Sequence, residues 1–197
     1  YTVTLTVTSN NGCTDVTTHI VNTIYAEPQA AFTYPAEVCL GDAANFTDNS
    51  IAPGSTVTQW AWNFGDGNSS VDTSPVHTYT SPGTYQVKLT VTSGHGCVES
   101  VTKTVYIYLP PVAGFTIISN STQCLKGNSF KLNNTTTIPA GSFTSSWYFG
   151  DGDTSTLTNP VHSYILDDTF YIKLVVNTSY GCSDSITRPV IVLPMPN

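Results

Sequence analysis

Charged side chains are scarce in this chain of 197 residues, at 10% of the sequence, against about a quarter in an average soluble protein. Six Lys and Arg stand against 13 Asp and Glu, so the net charge is −7 and no basic stripe is present. Nucleic-acid binding depends on such a stripe and is therefore excluded as a function class. Thr, Ser and Asn replace charge on the surface, and Thr in particular suits exposed β-strands.

Long apolar runs are also missing from the sequence. A membrane-spanning helix needs about 20 consecutive apolar residues, so we predict no membrane insertion. No secretory leader is visible at the start. The chain instead opens on "YTVTLTVTSNNGC", which has the pattern of a strand already under way. We therefore expect a piece of a longer protein.

Catalytic motifs are absent as well. The sequence has no G-x-S-x-G, no H-E-x-x-H and no Cys-x-x-Cys, which mark common nucleophile, zinc and redox sites. His77 and His162 follow the same Pro-Val dipeptide, and no nucleophile or metal-ligand motif accompanies them. We predict that both are structural or surface residues, that the chain is not an enzyme and that it needs no cofactor.

The sequence repeats itself at a distance of 85 residues. Such a repeat indicates consecutive copies of one module. The recurring phrases are WNFGDG (62–67) and WYFGDG (147–152), PVHTY (75–79) and PVHSY (160–164), and YQVKLTVT (85–92) and FYIKLVVN (170–177). We predict the tail of a first module at residues 1–28, a complete module at 29–111 (module A) and a second complete module at 112–197 (module B).

Within each module the apolar residues alternate with polar ones. The opening strand sets Tyr, Val and Leu against Thr at every second position, and the same period recurs in residues 85–92 and 101–108. A period of two indicates half-buried strands, and the short turn signals between them, such as "SPG" and "GHG", are typical of an antiparallel sandwich. We predict an all-β chain of tandem immunoglobulin-like sandwiches without a helix.

The combination W-x-F-G-D-G, P-x-H-x-Y and G-T-Y-x-V-x-L-x-V resembles the polycystic kidney disease (PKD) repeat, an immunoglobulin-like β-sandwich. The resemblance covers nearly the whole chain. One departure is Phe170, which stands where module A has Tyr85. We therefore expect a tyrosine-corner hydrogen bond at Tyr85 and none at Phe170.

The FGDG phrases are interpreted as structural joints. The aromatic residues would face the sandwich core, the glycines would allow a tight turn, and the aspartates would accept backbone N–H bonds. The residues concerned are Trp62, Phe64, Gly65, Asp66 and Gly67 in module A, and Trp147, Phe149, Gly150, Asp151 and Gly152 in module B. The alternative is a calcium site at Asp66 or at Asp151 with Asp153, although calcium prefers six or more oxygens.

Five cysteines follow the repeat, because Cys39 and Cys124 are equivalent, as are Cys13, Cys97 and Cys182. Such periodic cysteines favour disulfides, with free thiols as the alternative. The simplest pairing is Cys39–Cys97 and Cys124–Cys182 within modules. However, the two cysteines of one module would lie at opposite ends of a strand of about 26 Å, whereas bonded Cα atoms lie within about 7 Å. We therefore favour a bridge between modules, Cys39–Cys182, with Cys13, Cys97 and Cys124 bonded to modules outside this sequence.

The resemblance implies an extracellular or cell-surface protein. Thr-rich strands, cysteine pairs and Gly-Cys-x-Asp/Glu-Ser phrases resemble the tandem repeats of large surface and gliding adhesins in Bacteroidetes-type bacteria. This implies a stiff rod or filament whose partners are copies of itself, further modules, or a surface polysaccharide or protein. The alternative is a spacer or polymer-binding accessory module of a secreted hydrolase. Trp60, which Ser145 replaces in module B, is a candidate interaction patch.

Overall fold

The computed structural model describes residues 1–196, and all regular structure in that range is β-strand. No helix in that range is long and apolar enough to cross a membrane. The strands are β1 (Thr2–Thr8), β2 (Thr14–Ile20), β3 (Phe32–Thr33), β4 (Glu37–Cys39), β5 (Ala43–Asn45), β6 (Thr47–Asp48), β7 (Val57–Asn63), β8 (Ser69–Ser70), β9 (Val76–Thr78), β10 (Gly83–Ser93), β11 (Val98–Tyr108), β12 (Phe115–Ile117), β13 (Thr122–Cys124), β14 (Phe130–Asn134), β15 (Phe143–Tyr148), β16 (Thr154–Ser155), β17 (Val161–His162), β18 (Thr169–Thr178) and β19 (Ser183–Leu193).

Module A is a sandwich of one five-stranded sheet and two small strand pairs. The large sheet has the order β4-β11-β10-β7-β8, and the pairs β3-β6 and β5-β9 supply further strands. Alternate residues of β10 point inward, so that Val87, Leu89 and Val91 are fully buried. They pack with Phe32, Phe46 and Trp62 in one hydrophobic cluster. Burial of these large side chains supplies most of the stabilisation.

Module B repeats this plan. Its large sheet has the order β13-β19-β18-β15-β16, and β12-β14-β17 form a three-stranded sheet. Its own hydrophobic cluster contains Phe115, Phe130, Trp147 and Leu174, separate from that of module A. The prediction of an all-β fold of tandem sandwiches is therefore confirmed.

Each large sheet departs from the purely antiparallel arrangement at one edge. Strand β4 pairs with the end of β11 in parallel, and β13 pairs with the end of β19 in the same way. Without these short strands, the last strand of each module would expose unpaired N–H and C=O groups at the edge of the sheet. The alternation of residues does not reveal strand direction, which explains why the sequence did not predict a parallel pair.

The first 20 residues form a hairpin in which β1 pairs with β2, Thr2 opposite Ile20. Its apolar residues Val3, Leu5 and Val7 are more than half exposed. Their equivalents in β10 are the buried residues Val87, Leu89 and Val91. The hairpin thus presents the inward face of a module without that module's opposing strands.

Candidate functional site: the junction between modules

The FGDG turn of module A follows β7 and is held by side chains from within the same module. Asp66 accepts hydrogen bonds from the backbone N–H and side-chain amide of Asn68, each at 3.0 Å. The hydroxyl of Tyr79 donates to the carbonyl oxygen of Phe64 at 3.1 Å. Trp62 and Phe64 are buried in the core cluster. Each of these groups thus has a partner within the module.

Glycine is required at the first position of the turn. Gly65 has φ of +83°, and a Cβ atom there would lie 2.9 Å from the backbone oxygen of Gln86. Gly150 is placed in the same way against Tyr171, at 3.1 Å. At Gly67, φ is also positive, but a Cβ would meet nothing within 4 Å. The strand that passes over the first glycine therefore excludes any side chain there.

His77 of strand β9 contacts Asp66 and so attaches the turn to that strand; this pair, and its equivalent in module B, is called the Asp–His clamp. The Nε2 of His77 lies 2.7 Å from Oδ2 of Asp66, its ring stacks on Phe64 at 4.2 Å, and Tyr79 meets it edge-on. In module B, His162 makes the same contacts with Asp151, Phe149 and Tyr164. The two histidines therefore have equivalent contacts on the same turn.

The aspartates of the two clamps have lowered pKa values. Partial burial alone would raise the pKa of Asp66, but hydrogen bonds from Asn68 and His77 outweigh it and lower the pKa below its ordinary value of 3.8. Burial likewise opposes the effect at Asp151, where hydrogen bonds from His162 and the backbone of Asp153 lower the pKa. Each carboxylate is therefore stabilised in its charged form.

Module B also brings together three groups able to ligate a metal. Asp151, Asp153 and His162 each offer a ligand atom, and these atoms lie within 4.8 Å of one another. In module A, Asn68 occupies the position of Asp153 and donates its amide to Asp66. Two carboxylates and an imidazole fall short of the six or more oxygens that calcium prefers. The calcium site remains a prediction for module B, and Asp66 has no second carboxylate in the equivalent place.

Trp60 is half-buried rather than fully exposed. Its indole N–H donates to Oδ2 of Asp48 at 2.7 Å, and part of its ring packs against the core of module A. One edge lines an open groove of about 590 Å³ with Gln59, Val71 and Asp72. The structure thus gives Trp60 a partner inside its module, while its role as an interaction patch remains a prediction.

A disulfide joins the two modules. Cys39, at the end of β4 in module A, is bonded to Cys182, in the β18-β19 hairpin of module B, and their Cα atoms are 5.6 Å apart. The bridge between modules predicted from strand length is therefore present. Cys13, Cys97 and Cys124 are free thiols, so their proposed bonds to other modules remain predictions.

Aromatic stacking accompanies the bridge. Tyr108 lies opposite Cys39 in the parallel pair β4-β11. Its ring stacks on that of Tyr180, two residues before Cys182, with centroids 3.9 Å apart and an interplanar angle of 6°. The junction therefore combines a covalent bond with a stacked aromatic pair, both between the paired ends of β4 and β11 in module A and the last hairpin of module B.

A family model described as the PKD domain matches residues 25–109 and again residues 110–192. The chain belongs to the PKD domain family. The two matches meet at residues 109 and 110, one residue after Tyr108, so the bridge and the stack described above connect two PKD domains.

Curated relatives share part of the chain. A microbial collagenase of Vibrio alginolyticus is 37% identical over 81 residues, which cover 41% of this chain and 10% of the collagenase. Collagenase ColA of Clostridium perfringens is 30% identical over 102 residues, which cover 47% of this chain and 9% of that protein. The chain thus spans about a tenth of the length of the curated relatives it matches.

Solved PKD domains are similar as well. The PKD1 domain of Vibrio anguillarum Epp is 29% identical and covers 44% of this chain and 100% of that domain, with a TM-score of 0.41. The PKD1 domain of the Vibrio cholerae metalloprotease PrtV is 28% identical and covers 42% of this chain and 98% of that domain, with a TM-score of 0.39.

Two features of the PKD domains of this chain were not predicted from its sequence. One is the Asp–His clamp, whose partners are 11 residues apart, with the aspartate in a turn and the histidine in a short strand. The other is the stacked pair at the junction. Its signal was present, because Tyr25 and Tyr108 occupy equivalent positions, and so do His95 and Tyr180.

Proposed function

We propose that the chain is a noncatalytic spacer segment of a longer extracellular protein, in which joined PKD domains hold other domains at a fixed separation. The observation that carries the proposal is the Cys39–Cys182 bridge, which ties one domain to the next in addition to the polypeptide link. A second tether restricts bending at the link between residues 109 and 112. The relatives named as collagenases support the spacer reading, because the similarity spans a small part of each.

An extracellular location fits this function. Disulfides persist in oxidising compartments and are rare in the cytosol. A sequence with 10% charged residues and a net charge of −7 also suits a spacer that avoids nonspecific contact with acidic polymers. Its direct partners would be the neighbouring domains of the same protein.

A distance measurement tests the rigid spacer. Spin labels attached to Cys97 in module A and Cys124 in module B, in a Cys13→Ser background, would report the separation of the two domains. We expect a narrow distance distribution with the bridge intact and a broader one in the added Cys39→Ser/Cys182→Ser variant. An equally broad distribution with the bridge intact would contradict a rigid spacer. Tyr180→Ala, which removes the stack but keeps the bridge, serves as the intermediate case.

The filament reading is a second candidate, favoured by the free cysteines Cys13, Cys97 and Cys124, which recur with the repeat. In that reading many such domains form a structural or adhesive rod. Electron microscopy of the native protein separates the two candidates. Regular filaments would support the rod, whereas globular particles carrying a short stalk would support the spacer of a hydrolase.

Polymer binding is tested at the groove beside Trp60. Co-sedimentation with insoluble collagen, chitin and cellulose measures it directly. A plain spacer stays in the supernatant on all three polymers. Sedimentation that is lost in Trp60→Ser, which installs the residue of module B, would instead assign the groove as an accessory binding site.

A further inference from the structure

We infer that one disulfide pattern closes every junction of this protein: the cysteine at the end of a module's short parallel strand bonds the hairpin cysteine of the next module. Cys97 then bonds the parallel-strand cysteine of the preceding module, and Cys124 bonds the hairpin cysteine of the following one. This assignment of partner and polarity goes beyond the spacer function and does not rest on it.

The hairpin cysteines share one backbone geometry. Cys182 accepts from the N–H of Thr178 at 2.8 Å, and its own N–H donates to the Thr178 hydroxyl at 3.1 Å. Cys97 makes the same two bonds with Ser93, at 2.8 and 3.2 Å. Cys182 is bonded to another module, so Cys97 is held in the geometry of a bonded partner. Cys13 makes the equivalent bonds with Ser9.

The parallel-strand cysteines are also superimposable in their pairing. Cys39 lies opposite Tyr108 at the end of β11, and Cys124 lies opposite Leu193 at the end of β19. The next residue in each case, Leu40 or Leu125, donates its N–H to that opposite residue. Cys124 therefore occupies the position from which Cys39 reaches the next module, and its thiol is exposed.

The junction that precedes module A is partly present in this chain, as the contact between residues 23–25 and the hairpin that carries Cys97. The ring of Tyr25 stacks on His95 with centroids 3.6 Å apart, as Tyr108 stacks on Tyr180. Residues 23–25 correspond to 106–108, which β4 covers by parallel pairing, and Ile24 and Tyr25 are exposed. A parallel strand on residues 23–25 would end with its cysteine beside the hairpin that carries Cys97. The occupant expected there is the β4-equivalent strand of the preceding module.

Pairing within a module is excluded by distance. Cys39 lies opposite Tyr108, whereas Cys97 precedes Val98, at the other end of the 11-residue strand β11. Such a strand spans roughly 35 Å, and bonded Cα atoms lie within about 7 Å. The same strand length separates Cys124 from Cys182 along β19. Only a cysteine of another module can reach Cys97 or Cys124.

Each bridge forms one Sγ–Sγ bond from two thiols. The thiols release two protons and two electrons, which reduce the disulfide of an exported thiol–disulfide oxidoreductase to two thiols. Because the stack and the strand pairing hold the two cysteines of a junction side by side, the correct partner is the nearest one when oxidation occurs.

Peptide mapping of the mature protein under non-reducing conditions tests the pattern, with free thiols alkylated first. We expect Cys97 linked to a parallel-strand cysteine and Cys124 linked to a hairpin cysteine. Recovery of either as an alkylated thiol, a Cys97–Cys124 link, or links between two cysteines of the same class would overturn the inference.

A single substitution sharpens the test. Cys97→Ser should release one new alkylatable thiol, located in the parallel strand of the preceding module, while Glu99→Gln on the same hairpin should release none. A new thiol in any hairpin, or no new thiol at all, would contradict the assigned polarity. Loss of the spacer property would leave this map unchanged, so the two proposals fail separately.

Discussion

Modules A and B stabilise the FGDG turn through equivalent contacts, but a nearby hydrogen bond between two strands is formed by different residues in each. In module A the indole of Trp60 donates to Asp48. At the equivalent positions of module B, the amide of Asn134 donates to the hydroxyl of Ser145 at 2.9 Å. The two residues of the pair differ together, so the feature common to both modules is a side-chain bond between two strands. The comparison thus gives Trp60 a structural role within module A, as the donor of this hydrogen bond.

A second difference concerns the strand before the core Tyr. In module A, β5 pairs with β9 through the backbone, Ala43 opposite Thr78. In module B the side chain of buried Asn128 accepts from the N–H of Tyr164 at 2.7 Å and donates to its carbonyl at 2.8 Å. Module B keeps the backbone pairs Phe130–His162 and Lys131–Val161. The amide of Asn128 therefore takes the place only of the last pair, Ala43–Thr78, of module A.

The largest expected effect comes from a substitution in the FGDG turn that both modules share. Gly65→Ala should destabilise module A by about 3 kcal/mol, because positive φ costs an alanine about 1–2 kcal/mol and the Cβ clash adds to it. Gly67→Ala, with open space around it, should cost about 1 kcal/mol. Urea unfolding monitored by hydrogen exchange of peptides from β10 measures both, with β18 as the internal control. Equal losses in the two variants would show that the approach of Gln86 does not matter.

The next effect is confined to module B. Asn128→Ala leaves the buried N–H and C=O of Tyr164 without their partner, which should cost about 2 kcal/mol. The same exchange measurement on β18 peptides checks it, and exposed Lys126→Ala is the nearby control. If the two variants lose the same small amount, the amide does not substitute for strand pairing.

Acid should weaken both modules through the Asp–His clamps. The folded pKa values of Asp66 and Asp151 lie below 3.8, so their contribution is complete above that pH and is lost as the pH falls through the lower folded value. Asp66→Asn should cost about 1–2 kcal/mol at neutral pH. Urea unfolding at a series of pH values should show the gap between wild type and variant closing below pH 3.8.

The control for this series is Asp167→Asn, which removes an exposed carboxyl from module B. This variant reports what the loss of an exposed carboxyl alone does to stability over the same pH series, and the gap that closes with pH should be specific to Asp66→Asn. A constant gap between wild type and Asp66→Asn across the acid range would contradict the assignment of the clamp to the charged carboxylate.

The smallest expected effect comes from a substitution that gives module A the residue of module B at position 85. Tyr85 donates its hydroxyl to the carbonyl of Ser81 at 3.0 Å, whereas Phe170 has no hydroxyl. Tyr85→Phe should therefore destabilise module A by about 0.5–1 kcal/mol. Thermal unfolding compared with Tyr106→Phe, an exposed tyrosine of the same sheet, isolates the bond. An identical change in both variants would assign the loss to something other than this corner.

The sequence predicted features set by short-range patterns. Alternation located the long strands, and the repeat located the equivalent cysteines. Strand length then excluded bonds within a module, and the tyrosine corner followed from Tyr85. The parallel strand β4 was not predictable, because residues 37–39 are too few to show a period. The Asp–His clamp joins a turn to a strand of two or three residues, and neither segment contains a pattern that points to the other.

Contacts between two side chains were not predictable from residues considered singly. Trp60 remains a candidate interaction patch, and its hydrogen bond to Asp48 becomes apparent only when the change from Asp48 to Asn134 is considered together with the change from Trp60 to Ser145. The stack of Tyr108 on Tyr180 depends on how two modules meet, which the residues of one module do not determine. The sequence makes Asp153 a candidate calcium ligand, and the structure adds that His162 lies beside it.

The central claim is that a disulfide links one PKD domain to the next. Non-reducing proteolysis of the oxidised chain followed by mass spectrometry tests it most directly. The account predicts a crosslinked pair of peptides containing Cys39 and Cys182. A crosslinked pair containing Cys39 and Cys97, or Cys124 and Cys182, would place the bonds within domains and contradict it.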